Sequence, residues 1–122
     1  MKITKKRQFE LFKKHILFYQ ELFGLKRYEI FIKHEPIKYG GENPELYDTS
    51  ANSQINEPGK FAVIRLNSKR NFTSKEIVIT AAHEMIHVLL HKLRDIGECR
   101  YLNDGELVAE EEEIVRVLEK FL

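Results

Sequence analysis

The chain has 122 residues, of which 43% are hydrophobic and 32% are charged. This composition excludes a disordered chain and predicts a single domain, residues 1–122, with one modest core. The formal net charge is only +1, so the chain lacks the overall basic field of a nucleic-acid-binding protein. No apolar run approaches the roughly 18 residues that a membrane span requires, so we expect no membrane partner.

The cysteine count and the start of the chain bear on the compartment. A single cysteine, Cys99, excludes an internal disulfide and a cysteine-based structural zinc site. Residues 1–12 are basic but contain no apolar segment of the kind found in secretory signals. These features together predict a reducing, cytoplasmic environment.

Charge is unevenly distributed along the chain. Residues 1–40 hold ten Lys or Arg and four Glu, whereas residues 104–122 hold seven acidic and two basic residues. Such runs are typical of solvated helix faces. A basic patch that binds nucleic acid is the less favoured interpretation, because the segment lacks the interleaved aromatic residues of a stacking platform.

The first elements are predicted from hydrophobic spacing. Apolar residues at intervals of three and four predict a helix over about residues 5–23, which Gly24 can end in a left-handed conformation. Alternation from Tyr28 to Lys33 predicts a strand that Pro36 stops. The polar segment 46–55 is expected to form an exposed edge strand or a long loop.

The next segments predict a hairpin and two helices. A turn at residues 56–59 leads into the apolar strand 61–66, which completes the hairpin. Thr73 and Glu76 have the spacing of a capping box at the start of a helix that reaches about Leu93. This helix is apolar nearly all round and is therefore expected to be buried. With a last helix over 104–122, the elements predict an α+β fold.

The buried helix carries a metal-binding pattern, HExxH, at residues 83–87. His83 and His87 are four residues apart, so both imidazoles lie on one helical face and can bind one zinc ion. Glu84 is adjacent to the first histidine, where its carboxylate can take a proton from a metal-bound water. The competing interpretation is a buried helix whose histidines are satisfied by hydrogen bonds or lie on the surface.

A catalytic zinc site needs a third protein ligand. His91 continues the spacing, but eight residues of helix rise about 12 Å, too far for one ion to reach both His83 and His91. On the last helix, Glu111 falls on the predicted apolar stripe between Val108 and Ile114. A carboxylate facing a core is costly unless it is paired or binds a metal. Glu111 is therefore the predicted third ligand, and Glu110 is the runner-up.

These residues carry a family resemblance. His83, Glu84 and His87, followed by a glutamate on a second helix, look like the gluzincin branch of zinc metallopeptidases. The segment HEMIHVLLH, residues 83–91, resembles the active-site helix of small ImmA/IrrE-like and SprT-like phage-type metallopeptidases. The order of elements is also similar, and it implies a zincin-like fold. The alanine-rich sequence that follows the glutamate in ImmA/IrrE-like proteins is replaced here by Ile-Val-Arg-Val-Leu.

The expected function is zinc-dependent hydrolysis of peptide bonds, with Zn²⁺ as cofactor and a protein or peptide as substrate. Glu84 would act first as base and then as acid, and an extended substrate would add to the exposed edge of the hairpin. Oxyanion donors are not assigned; Tyr39, Tyr47 and Tyr101 are candidates. The alternatives are a non-catalytic metal-stabilised module that binds a protein and, less favoured, a nucleic-acid-associated protein.

Overall fold

The computed structural model describes residues 3–37, 49–98 and 104–119. Over these residues the fold is α+β, with three helices and a small mixed sheet. The elements in chain order are α1 Lys5–Leu22, β1 Glu29–Glu35, β2 Ala51–Asn56, β3 Phe61–Asn67, α2 Ser74–Glu98 and α3 Asp104–Glu119. The predicted strand over residues 46–55 begins only at Ala51 in the described part of the chain. Residues 46–48, Tyr39, Tyr47 and Tyr101 lie outside the described residues.

The sheet has the strand order β1-β3-β2. The predicted hairpin is confirmed, since β2 pairs antiparallel with β3 and Ser53 lies opposite Ile64. Sequence reasoning did not predict the parallel pairing of β1 with β3, in which Ile32 lies opposite Ile64. Because β3 occupies the centre, β2 forms one edge of the sheet as the described residues build it.

Local signals in the sequence fix the helix starts and stops. Thr4 caps α1, where its hydroxyl accepts a hydrogen bond from the Arg7 backbone N–H at 3.2 Å. Gly24 follows α1 with φ of +68°, the left-handed conformation expected of it. The Thr73 hydroxyl accepts from the Glu76 backbone N–H at 3.2 Å, which confirms the cap of α2.

One hydrophobic core draws on all three helices and on the central strand. Phe12 of α1, Ile64 of β3 and Met85 of α2 are fully buried in it, and Ile114 of α3 is 6% exposed. Alternate residues of β3 enter the core because successive strand side chains point to opposite faces. The core thus holds α2 against the sheet, where the helix contacts β2.

The prediction that α2 is buried is confirmed for one face, which carries Ile77, Met85 and Val88, and is wrong for the other. The helix extends to Glu98, and one of its faces is open: Ile79, Ile86 and Leu90 are between 40% and 58% exposed. A helix of this hydrophobicity is expected to be covered on every side. The open face also carries the two histidines of the HExxH pattern, so the apolar composition of α2 reflects an accessible cleft as well as a core.

The predicted apolar stripe of α3 is wrong in its position. Ile114 and Val117 are buried, whereas Val108, Val115 and Leu118 are exposed. The face of α3 that enters the core is therefore rotated about the helix axis from the predicted face. Apolar residues occur on both faces of α3, so composition alone does not decide which face is buried.

Among the described residues, no helix is long and apolar enough to cross a membrane.

Candidate metal centre

His83 and His87 converge on the open face of α2. Their Nε2 atoms are 3.1 Å apart and their rings meet edge to face with centroids 4.7 Å apart. Both residues are exposed, whereas Glu84 beside them is buried. One ligand atom from each of the three residues lies within 4.8 Å of the others. The spacing of the motif therefore produces the convergence that it predicted.

The separation of the two nitrogens suits a metal ion. Two nitrogen ligands of a tetrahedral zinc, each bound at about 2.0–2.1 Å, lie about 3.3 Å from one another. The 3.1 Å between the Nε2 atoms of His83 and His87 is close to that value. The distance between the two donor atoms therefore fits a zinc ion.

Glu84 is a buried carboxylate with an unsatisfied oxygen. The residue is 4% exposed, and its Oε2 atom has no hydrogen-bond partner among the described residues. Burial raises the pKa of the Glu84 carboxyl, and the nearby His83 only partly opposes this effect. A buried acceptor left unpaired costs free energy. A bound ligand or water that donates to this oxygen would remove that cost.

The imidazole of His87 is kept in its neutral form. Burial lowers its pKa, and the neighbouring charges of His83 and Arg94 lower it further. A neutral imidazole keeps a lone pair for a metal, whereas a protonated one has none to offer. The electrostatic environment of His87 therefore favours the state that binds a cation.

The three side chains lie between two adjoining cavities. The larger, about 770 Å³, lies between α2 and β2 and extends from His83 and His87 past Leu90. The smaller, about 340 Å³, lies on the other side of His83, beside Ile79 and Thr80. Glu84 lines both. The site is thus a cleft that is open in two directions along the edge strand.

The burial predicted for Glu111 is wrong. Glu111 is exposed, and the cluster of ligand atoms around His83 does not include it in the part of the chain that the structure describes. Glu110 is the buried glutamate of α3, at 4% exposure, and its carboxylate lies 3.3 Å from the Lys92 ammonium. The described arrangement therefore supports neither residue as the third ligand.

His91 does not reach the histidine pair. Its Nδ1 atom lies 3.1 Å from Oε1 of Glu57, as the length of helix between His83 and His91 led us to expect. Glu57 is 6% exposed and accepts two further hydrogen bonds, one from the Tyr28 hydroxyl and one from the Lys60 ammonium at 2.8 Å. This cluster ties the turn between β2 and β3 to α2.

The partners of Glu57 determine its charge. Burial alone would raise the pKa of its carboxyl, but hydrogen bonds from Lys60, Tyr28 and His91 outweigh burial and lower the pKa to about 2. Burial, reinforced by the bond to Glu57, raises the pKa of the Tyr28 hydroxyl to about 12. The sequence analysis missed this cluster. Residues 56–59 have the usual composition of a solvated turn, in which a glutamate is expected to be exposed.

Comparison with known protein families, with curated proteins and with solved structures finds no match to this chain.

Proposed function

We propose that this protein is a zinc-dependent peptide hydrolase with a zincin-like fold. The observation that carries the proposal is the convergence of the His83 and His87 Nε2 atoms, 3.1 Å apart, beside the buried carboxylate of Glu84. Two metal-binding nitrogens beside a buried carboxylate with an unpaired oxygen supply two of the three ligands of a catalytic zinc and the base that hydrolysis of this kind needs. The single cysteine supports a reducing, cytoplasmic site of action.

Each residue has a role that follows from its position. His83 and His87 would hold the ion, and the depressed pKa of His87 keeps that imidazole neutral for binding. When bound, zinc supplies a Lewis acid that polarises the scissile carbonyl and makes a water more acidic. Glu84 accepts a proton from the attacking water and returns it to the leaving amine, a task suited to a carboxyl whose pKa is raised.

An extended peptide suits the cleft because of the strand beside it. The backbone N–H of Asn67 donates to the carbonyl of Ser50 at 2.9 Å. Since bonded pairs alternate along an antiparallel ladder, Asn52 and Gln54 also bond to β3, and the N–H and C=O groups of Ala51, Ser53 and Ile55 point away from the sheet. A peptide that paired with those groups would pass directly over the histidines.

The proposal is tested first by the metal. Purified protein loaded with Zn²⁺ and then desalted should retain one zinc per chain by elemental analysis, and His83→Ala should retain less than a tenth of that amount. The control is His15→Ala, since His15 lies on α1 and hydrogen-bonds the carbonyl of Leu11. Zinc that stayed bound to His83→Ala, or that did not bind the wild type, would contradict the site.

The second test is hydrolysis. The zinc-loaded wild type should release acid-soluble peptides from casein, and removal of zinc with a chelator should stop the release. A zinc-loaded protein that released none would leave the second candidate, a non-catalytic metal-stabilised module that binds a protein. That candidate is favoured by one observation: among the described residues, the only other ligand atom beside the histidine pair belongs to Glu84, which the hydrolysis needs as its base, and catalytic zinc sites use three protein ligands.

A further inference from the structure

The cleft on either side of the histidine pair is asymmetric. On the side of His87, the cavity is about 770 Å³; Ile55 of β2 and Leu90 and Leu93 of α2 give it an apolar wall, and His91 and Arg94 also line it. On the side of Thr80, the cavity is less than half as large, about 340 Å³, and Thr49 and Ser50 contribute to its lining. The two sides therefore offer different space and different chemistry to a chain that crosses the site.

The edge strand directs the side chains of a bound peptide into these cavities. Ala51, Ser53 and Ile55 lie opposite Leu66, Ile64 and Ala62, the residues of β3 that face the core and α2. Residues directly opposite one another in a sheet share a face. A peptide residue paired with Ile55 would therefore point towards α2, where Leu90 and Leu93 lie.

The direction of the peptide follows from the pairing geometry. Antiparallel ladders have better hydrogen bonds than parallel ones, and β2 runs from Ala51 to Asn56. The N-terminal part of an antiparallel peptide would then lie beside Ile55 and the larger cavity. Its C-terminal part would lie beside Ala51, which lines the smaller cavity as well as the larger one.

We infer that this cleft selects extended peptides that carry a large apolar residue on the N-terminal side of the scissile bond and a small residue on the C-terminal side. The inference rests on the proposed function, to which it adds the substrate class. Leu90 is the main determinant, because it is 40% exposed and forms part of the wall of the larger cavity. Burial of a leucine side chain against that wall is favourable, whereas an acidic residue would lose its hydration there.

The experiment uses a fluorescent ten-residue peptide of Ser, Thr and Gln with one variable residue, Leu, Ala or Asp. Such a peptide can slide along β2 until its variable residue reaches the cavity. Binding is measured by fluorescence anisotropy on zinc-loaded Glu84→Gln, which does not consume the peptide. We expect the Leu peptide to bind at least tenfold more tightly than either the Ala peptide or the Asp peptide.

Substitution of the cavity wall tests the site directly. Leu90→Lys, added to Glu84→Gln, should remove the preference for Leu over Ala. The control is Leu17→Lys, because Leu17 is a 54% exposed leucine inside α1 that lines neither cavity. Equal binding of the Leu and Ala peptides to Glu84→Gln, or the same loss in both lysine variants, would overturn the inference.

Cleavage by the zinc-loaded wild type tests the direction and separates this inference from the proposed function. Mass spectrometry of the products should place the variable Leu N-terminal to the cut bond. A cut on the other side of Leu would overturn the antiparallel placement. A strong preference for Leu in binding without any cleavage would support the cavity and overturn the proposed hydrolysis.

Discussion

Two buried glutamates, Glu84 in the cleft and Glu57 behind His91, differ in their partners. Glu57 is 6% exposed and accepts hydrogen bonds from Tyr28, Lys60 and His91, which lower the pKa of its carboxyl to about 2. Glu84 is 4% exposed, has one oxygen without a partner among the described residues, and has a raised pKa. Both side chains are removed from solvent. At Glu57 the hydrogen-bond donors outweigh the effect of burial on the pKa, whereas at Glu84 the effect of burial dominates.

Glu57 has the partners of a structural carboxylate, and Glu84 has the surroundings that the proposed hydrolysis requires. A carboxylate that accepts several hydrogen bonds holds its charge at every physiological pH and stabilises the fold. A buried carboxylate without donors destabilises the fold, and a raised pKa brings it closer to the range in which it can exchange a proton at neutral pH. Glu57 therefore serves to hold the hairpin on α2, and Glu84 is the one suited to chemistry.

The largest effect is expected from Glu84→Gln. The amide keeps the shape of the side chain but cannot accept a proton, so hydrolysis should fall by about 10²–10⁴-fold. The zinc content should not change, and the free energy of unfolding without zinc should stay equal or rise, because a buried charge is removed. Rates are measured by peptide release, with Glu111→Gln as an exposed control. A wild-type rate in Glu84→Gln would rule out Glu84 as the base.

Removal of the Glu57 carboxylate should lower the stability of the fold, whereas Glu84→Gln should not. Glu57→Ala leaves the Tyr28 hydroxyl and His91 without their acceptor, so the free energy of unfolding should fall by about 3 kcal/mol. Urea denaturation measures the change, and Glu112→Ala is the control because Glu112 is exposed. A loss below about 0.5 kcal/mol would show that the hydrogen bonds of Glu57 do not stabilise the fold.

The charge of Glu57 makes stability depend on pH. Its pKa falls from 4.5 to about 2 on folding, so its contribution, about 3 kcal/mol, is present above pH 4.5 and is lost as the pH falls towards 2. Glu57→Gln has no such group to protonate. The difference in unfolding free energy between wild type and Glu57→Gln should therefore shrink between pH 5 and pH 2; a constant difference would contradict this assignment.

Zinc should stabilise the folded chain by binding to His83 and His87, beside Glu84. At a free zinc concentration 100 times the dissociation constant, binding to the native state alone adds about 2.7 kcal/mol. The melting temperature should therefore rise with zinc in the wild type and in Glu57→Gln. It should not rise in His83→Ala. Equal rises in all three proteins would place the bound zinc elsewhere.

The smallest effect is expected at Glu111. Because Glu111 is exposed and lies outside the cluster of ligand atoms, Glu111→Ala should change the dissociation constant for zinc by less than twofold, measured by competition with a chelator. A loss of tenfold or more would show that α3 turns this face towards His83 and His87. The same assay on Glu110→Ala tests the buried neighbour, whose carboxylate lies 3.3 Å from the Lys92 ammonium.

Much of the local structure was predictable. The bounds of α1, the left-handed Gly24, the hairpin and the cap of α2 follow from signals that act within a few residues. The approach of His83 to His87 belongs to the same class, because it depends only on the pitch of a helix. These features need no knowledge of what packs against them.

The remaining features depended on packing between distant segments. The sequence determined that α3 is an amphipathic helix with four consecutive glutamates, but packing of Ile114 and Val117 into the core decided that Glu110 is buried and Glu111 exposed. A helix with apolar residues on two faces can bury either one, and the difference is set by its neighbours. In the same way, only the folded chain brings Tyr28 and His91 to Glu57, because hydrogen bonds across 29 and 34 residues leave no periodic trace in the sequence.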